Sequence, residues 1–288
     1  MRRTLPPPLL FLPLVVLILV IFVFIKGPAK KQEPPKAAKT APSYKIPKRE
    51  ASPPQKKEAD RPQKPEAPRP KAAVIIDDLG YSLEAARTIC ALRQPVTVAI
   101  LPFASSTLET AQVAHECGLE IMLHLPLESL LQKSGNSFGG MISAGMTREE
   151  IQRNILSCLE QIPWSSGVNN HEGSKITEDA EMMPEILEVL KDKGLYFIDS
   201  RTTRDSIAFE TAKLMGVRAA SRQVFLDGDL NETAIKAKIG ELFRLAQARG
   251  RAVGICHPKK ETLAALEKYL GLAADYGIKL VFASEIVE

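Results

Sequence analysis

From Lys71 onward the chain alternates: short, mostly apolar runs are separated by stretches whose apolar residues recur at helical spacing. The runs are AAVIID (72–77), VTVAIL (96–101), LEIMLH (119–124), SGVNN (166–170), LYFID (195–199), a weaker RQVFL (222–226), AVGICH (252–257) and IKLVFA (278–283). Strands that are apolar throughout need cover on both faces, which is the situation of a parallel sheet wrapped in helices. Helices are predicted near 82–93, 105–117, 147–161, 177–193, 206–215, 231–249 and 260–276. Ser82, Thr147 with Glu150 three residues on, Thr177 and Asn231 stand as caps. Asn231 also opens an Asn-Glu-Thr sequon, which is read here as a cap rather than a glycan acceptor. Seven or eight strand–helix units in residues 71–288 predict an α/β domain, a distorted (β/α) barrel of about seven units rather than an open sheet.

The first 70 residues are of another kind. Residues 9–25, LLFLPLVVLILVIFVFI, are apolar throughout and long enough to nearly cross a hydrocarbon core of roughly 30 Å. Without a good small-residue cleavage site after it, residues 1–26 are expected to be an uncleaved membrane anchor, with a signal sequence as the alternative. Residues 27–70, rich in Pro, Lys, Ala and Glu, cannot bury enough apolar surface to fold and are expected to form an extended linker. Such a stalk suits a domain held away from a membrane, as in a bacterial envelope; the expected location is the inner membrane, with residues 71–288 in the periplasm.

Charge divides at the same boundary. Up to residue 70 there are 15 Lys and Arg against 5 Asp and Glu, and beyond it 23 against 29, so the basic pI of the whole belongs to the tail. An acidic domain makes a poor nucleic-acid binder, because phosphate contacts need a basic face. Cys90, Cys117, Cys158 and Cys256 show no metal-ligand spacing and are expected to be buried free thiols, although an oxidising compartment leaves a bridge open.

The chemistry-bearing residues stand where the predicted strands end. The first ends in Asp77-Asp78, the third in His124, the fourth in Asn169-Asn170-His171, the fifth in Asp199-Ser200-Arg201 and the seventh in His257. In parallel α/β folds those ends converge on one mouth. Three of the four histidines fall there; His115, inside a predicted helix, is expected to be an ordinary surface or capping residue. One aspartate with two or three histidines makes a divalent-metal site, with zinc the usual ion for such ligands in a hydrolase. A second acid beside the ligand has a use: it can take a proton from water activated at the metal.

Taken together, IDDLG, HLPLE, GVNNHEGS, IDSRTT and CHP resemble the divergent polysaccharide deacetylases, a branch of the NodB-like carbohydrate esterases, over essentially all of residues 71–288. The resemblance implies a distorted NodB-like barrel and metal-dependent removal of acetyl groups from a sugar. By position it makes Asp77 the catalytic base, Asp78 and His124 metal ligands and His257 the general acid, with Asp199 near the acid that orients a catalytic partner. The larger family carries a second metal histidine four residues after the first. Here that position is Glu128, so His171 is taken as the substitute ligand. Asn170, Arg201 and Glu128 are the candidate substrate contacts. The leading expectation is an envelope glycan deacetylase; the alternatives are a glycan-binding or scaffolding protein that turns nothing over, and a hydrolase of a non-sugar amide or ester.

Overall fold

The computed structural model describes residues 69–131 and 138–288. The expected anchor and nearly all of the linker lie outside the described residues, among which no helix is long and apolar enough to cross a membrane.

Nine strands form one parallel sheet: β1 (Lys71–Leu79), β2 (Thr97–Ile100), β3 (Glu120–Leu127), β4 (Ser165–Glu172), β5 (Tyr196–Asp199), β6 (Ala219–Ser221), β7 (Val224–Phe225), β8 (Arg251–Cys256) and β9 (Lys279–Val281). Seven α-helices accompany them: α1 (Leu83–Ala91), α2 (Thr107–Glu116), α3 (Arg148–Gln161), α4 (Met182–Asp192), α5 (Ala208–Leu214), α6 (Glu232–Arg249) and α7 (Lys260–Tyr269). The strand order is β6-β5-β4-β3-β2-β1-β8-β7, with β9 on β1. Since β8 pairs along β1 from Lys71 to Ile76, β9 at Lys71–Ala73 and β2 from Ile75 onward share the other edge.

The expected barrel is a curled sheet whose terminal strands form no ladder with each other. Yet β6 and β7, at opposite edges, are joined by Arg222 and Gln223 alone. Two residues reach only about 7 Å, so the sheet must curl until its edges nearly meet. Gln223 spans the seam: its side-chain Nε2 donates to the Ser221 carbonyl of β6 at 2.5 Å, while its backbone N–H donates to the Val253 carbonyl of β8 at 3.0 Å and its Oε1 accepts from Val253 N–H at 2.6 Å.

Side chains alternate across this sheet. Ala73, Ile75, Ala99, Met122, Tyr196, Ile198, Val253 and Ile255 fill the space enclosed by the curl. Val74, Ile76, Val98, Leu123, Val168 and Phe197 face the helices, which lay down Ile89, Ile155, Ile186, Leu187, Leu242 and Leu266 over them. The inner position on β4 opposite Tyr196 is taken by Gly167, because a Cβ there would run into the Tyr196 ring.

Ser82, Thr147 and Asn231 cap as expected, with Thr147 and Glu150 forming a full capping box. Thr177 does not. It is buried in a 3-10 turn with its hydroxyl on the Gly173 carbonyl, and Asp179 Oδ1 instead accepts from the N–H groups of Glu181 and Met182 at the start of α4. The cysteines also differ from expectation: Cys90 and Cys117 form a disulfide that ties the end of α1 to the end of α2, while Cys158 and Cys256 are free and buried. His115 is exposed and stacks on Trp164.

Candidate metal centre and catalytic residues

Adjacent residues of a regular strand point to opposite faces, so Asp77 and Asp78 ought to part company. They do not, because the register of β1 against β2 slips between Ile76 and Leu79: three residues advance on β1 while two advance on β2. An extra residue of this kind is a bulge, which can set neighbouring side chains toward one side. Asp78 takes up the turn with φ 58°, a left-handed conformation that aspartate tolerates better than most residues. Asp77 follows Ala73 and Ile75 inward; Asp78 is swung to the mouth beside it.

On β3 and β4 plain alternation suffices. Met122 pairs with Gly167, His124 with Asn169 and Pro126 with His171, all on the inner face. His257 stands one residue beyond β8, whose register with β1 aligns Ile75 with Ile255, so two residues on it comes beside Asp77.

Three donor atoms converge. His124 Nε2 lies 3.1 Å from Asp78 Oδ1, His171 Nδ1 lies 3.0 Å from the same oxygen, and the two nitrogens are 3.1 Å apart. Each ring nitrogen carries at most one in-plane hydrogen, which points along one edge of this triangle, so hydrogen bonds cannot satisfy all three edges. His124 is further constrained: its Nδ1 sits 2.8 Å from Asn169 Oδ1, while Asn169 Nδ2 donates to Asp77 Oδ1 at 2.8 Å. The carboxylate fixes which end of the amide faces which way. His124 Nδ1 therefore carries a proton, and in the neutral ring that a bound ion requires Nε2 presents a lone pair to a carboxylate oxygen; without an ion, burial lowers this ring's proton affinity but the Asp77 and Asp78 carboxylates more than reverse the effect.

Lone pairs gathered at 3.0–3.1 Å repel unless a cation lies among them. First-row divalent ions, with bonds of roughly 2.0–2.2 Å, hold neighbouring ligands roughly 3 Å apart. These three residues fit such an ion, and they form the one such group of acids, histidines and cysteines among the described residues. The remaining nitrogen of His171, Nε2, is buried without a hydrogen-bond partner, and the Phe138 ring stands edge-on to the imidazole at 4.6 Å.

The two acids are driven apart in proton affinity. Burial pushes the Asp77 carboxyl up, and the neighbouring imidazoles and the Asn169 amide pull it only part of the way back. Burial acts the same way on Asp78, but the imidazoles of His124 and His171, which bond to it and carry positive charge when protonated, outweigh it and hold that carboxyl far below the usual range.

His257 is fixed by an acid that sequence reading missed. Asp227 Oδ2 accepts from the His257 backbone N–H at 2.7 Å and from Thr262 Oγ1 at 3.1 Å, and its Oδ1 lies 3.2 Å from His257 Nδ1. That leaves His257 Nε2 toward the cluster, 3.7 Å from Asp78 Oδ2. Burial lowers this imidazole's proton affinity, but the Asp227 bond more than reverses the effect. Asp227 ends the weak sixth predicted strand, where the rule that found the other strand-end acids would have found it too.

The other candidates have different work. Asp199 is not the partner of His257: it is buried, with Oδ1 on Arg201 N–H and Oδ2 on Ser206 Oγ, bracing its own loop. Asn170 lines the cavity, but its amide is used on the Glu172 carbonyl and the Ser200 N–H. Arg201 also lines the cavity, with its guanidinium on the carbonyls of Ser206 and Arg204. Glu128 is absent from the cavity lining; it pairs with Lys175 and accepts from Ala144 N–H. The cavity, about 470 Å³, is lined by the acid–histidine cluster together with Ser200, Arg201, Arg222 and Phe225, whose ring stands edge-on to His257 at 5.4 Å.

A curled parallel sheet with acids and histidines at its strand ends is the architecture of NodB-like polysaccharide deacetylases. The chain belongs to the divergent polysaccharide deacetylase family, whose model matches residues 74–287. It is 33% identical over 218 residues to the uncharacterized protein YibQ of Escherichia coli K12, covering 75% of this chain and 67% of that one. An uncharacterized Haemophilus influenzae protein is 33% identical over 198 residues, covering 68% and 70%. Among solved structures, the uncharacterized protein ATU2773 of Agrobacterium tumefaciens C58 superposes with a TM-score of 0.73 at 25% identity, over 77% of this chain and 90% of that one. A BA3943 mutant, described as a CE4 family pseudoenzyme with restored enzymatic activity, superposes at 0.50 and 12% identity over 75% and 67%, a likeness of fold alone.

Proposed function

We propose that this domain is a metal-dependent deacetylase that hydrolyses acetyl groups on an envelope polysaccharide or related acetylated sugar, held at the periplasmic face of a bacterial inner membrane by its N-terminal segment. The observation that carries the reading is the triangle of Asp78, His124 and His171, with Asp77 and His257 on its flanks.

Asp78, His124 and His171 would hold a divalent ion, with zinc the expected one, and that ion would supply Lewis acidity to polarise the acetyl carbonyl and acidify water. Asn169 keeps His124 in the tautomer that offers Nε2. It also occupies Asp77 Oδ1, so Oδ2, 3.8 Å from His124 Nε2, is the oxygen left to take a proton from the attacking water. His257 has Nδ1 committed to Asp227 and presents Nε2 to the cavity, where it can give a proton to the departing amine or alkoxide. The Cys90–Cys117 disulfide supports an extracytoplasmic location, since such bridges persist in oxidising compartments.

The test is acetyl release from N-acetylated and O-acetylated oligosaccharides by the metal-loaded full chain, beside Asp77→Asn and a chelated sample. Release that is lost in both controls is expected. A protein that binds one ion per chain yet releases no acetate from either class would favour the alternative, a glycan-binding protein on the same fold. The replacement of the family's second metal histidine by Glu128, which here pairs with Lys175, favours that alternative.

A further inference from the structure

We propose that Arg222 and Ser200 form a subsite in the same cavity that binds the carboxylate of an acidic sugar, so that the preferred glycan carries uronic-acid-like residues beside its acetylated ones. This deepens the reading above and rests on it in one respect: that the cavity receives a glycan.

Arg222 sits in the two-residue link between β6 and β7 and lines the same cavity as the acids. Its Nε donates to the Ser200 carbonyl at 2.6 Å and its Nη2 to the Arg201 carbonyl at 2.7 Å, which locks the guanidinium plane. Both acceptors are neutral. No carboxylate lies within ion-pairing distance of Arg222 among the described residues, and the nearest acid of its loop, Asp199, is already bonded to Arg201 N–H and Ser206 Oγ. A half-buried cation that lies over the Phe225 ring at 5.0 Å and feels Asp199 and Asp77 only from beyond ion-pair contact is costly, and an anionic ligand in contact with it would relieve that cost. Among the described residues Nη1 makes no hydrogen bond, and it remains to donate.

Ser200 supplies the second, independent observation. Its N–H is held by Asn170 Oδ1 and its carbonyl by Arg222, but its Oγ is buried without any partner, although the residue lines the cavity. A buried hydroxyl left unpaired is uncommon in a folded protein and invites an acceptor. A carboxylate meets both needs, with one oxygen for the Arg222 Nη1–H and one for the Ser200 hydroxyl after a turn of its rotamer. Asp77 and Asp78, in the same cavity, repel that carboxylate and so set which way the sugar lies.

Binding of a hyaluronan tetrasaccharide, in which N-acetylglucosamine alternates with glucuronic acid, would be compared with that of N-acetylchitotetraose by titration calorimetry on the metal-loaded full chain. The acidic probe is expected to bind about tenfold tighter, the scale of one hydrogen bond to a charged group. Ser200→Ala should cut that preference about threefold without lowering the melting temperature, since it removes only an unsatisfied group, and Arg222→Met should abolish it. If Arg222→Met does not fold, Ser200→Ala decides alone. Equal binding of the two probes by the unaltered protein, binding of neither, or a preference that survives Ser200→Ala overturns the subsite. Acetyl release is followed in the same samples: its absence with the preference intact overturns the deacetylase and leaves the subsite standing.

Discussion

The two ends of the curled sheet each gather polar side chains around a carboxylate, and they treat it in opposite ways. At the N-terminal ends of the strands, Glu120 Oε1 accepts from Thr97 Oγ1 at 2.9 Å, Tyr196 Oη at 2.8 Å and Ser284 N–H at 3.1 Å. Thr97 Oγ1 in turn accepts from Ala283 N–H. Donors surround an acceptor, and the cluster closes that end of the fold by itself. At the C-terminal ends, Asp78 Oδ1 meets two imidazole nitrogens, and the single proton of a neutral His124 ring is committed to Asn169 through Nδ1. Acceptors there face one another. A polar cluster that is complete in protein atoms holds structure, whereas one that is short of positive charge is built around something the chain does not itself supply.

That contrast can be broken from either side. The two largest effects are expected at the mouth: His257→Ala, the smaller of them, should lower kcat for acetyl release by about 10²–10⁴, the usual worth of a positioned general acid, with metal content unchanged by elemental analysis. His124→Ala should abolish stoichiometric metal as well as turnover. Asn169→Leu, which touches no substrate, should weaken metal affinity by about 10–100-fold, because it frees the His124 tautomer; competition with a chromogenic chelator measures this. At the closed end, Glu120→Ala should cost about 1–3 kcal/mol by leaving buried donors unpaired, read from denaturant unfolding, with kcat unaltered. Tyr196→Phe should cost about 1 kcal/mol.

Tyr196 also gives the closed end a pH signature. Burial, and then the Glu120 charge, push its hydroxyl well above its usual value of 10.0. The folded state therefore holds that proton more tightly than the unfolded one, so the contribution is complete below pH 10 and is lost as pH rises past it. Unfolding curves of the unaltered protein and Tyr196→Phe should converge above that pH. Parallel curves would place Tyr196 outside the titration.

Much of this was legible in the sequence where one physical rule acts alone. Apolar runs placed most strands and three of the four predicted caps, and the convergence of parallel strand ends brought Asp77, Asp78, His124, His171 and His257 together before any coordinates. What escaped were features set by more than one segment. AAS at 219–221 is too short and too small to show as a strand, and its place as β6 comes from pairing with β5. Asp227 was hidden behind a weak strand. Glu128 stands at the position of a family ligand, but Lys175, far along the chain, decides its role. The disulfide depends on how α1 packs beside α2, which spacing does not encode.

The bulge in β1 has an evolutionary consequence. It is one extra residue in a strand whose pairing with β8 is regular through Ile76, so a single-codon deletion at Asp77 or Asp78 would restore plain alternation and leave one inward acid where there are two. Such a descendant would inherit the scaffold without the division of labour between ligand and base. On the proposed roles, loss of turnover and retention of fold would be one mutation apart in a lineage built this way, and descent alone would be a poor guide to which members work.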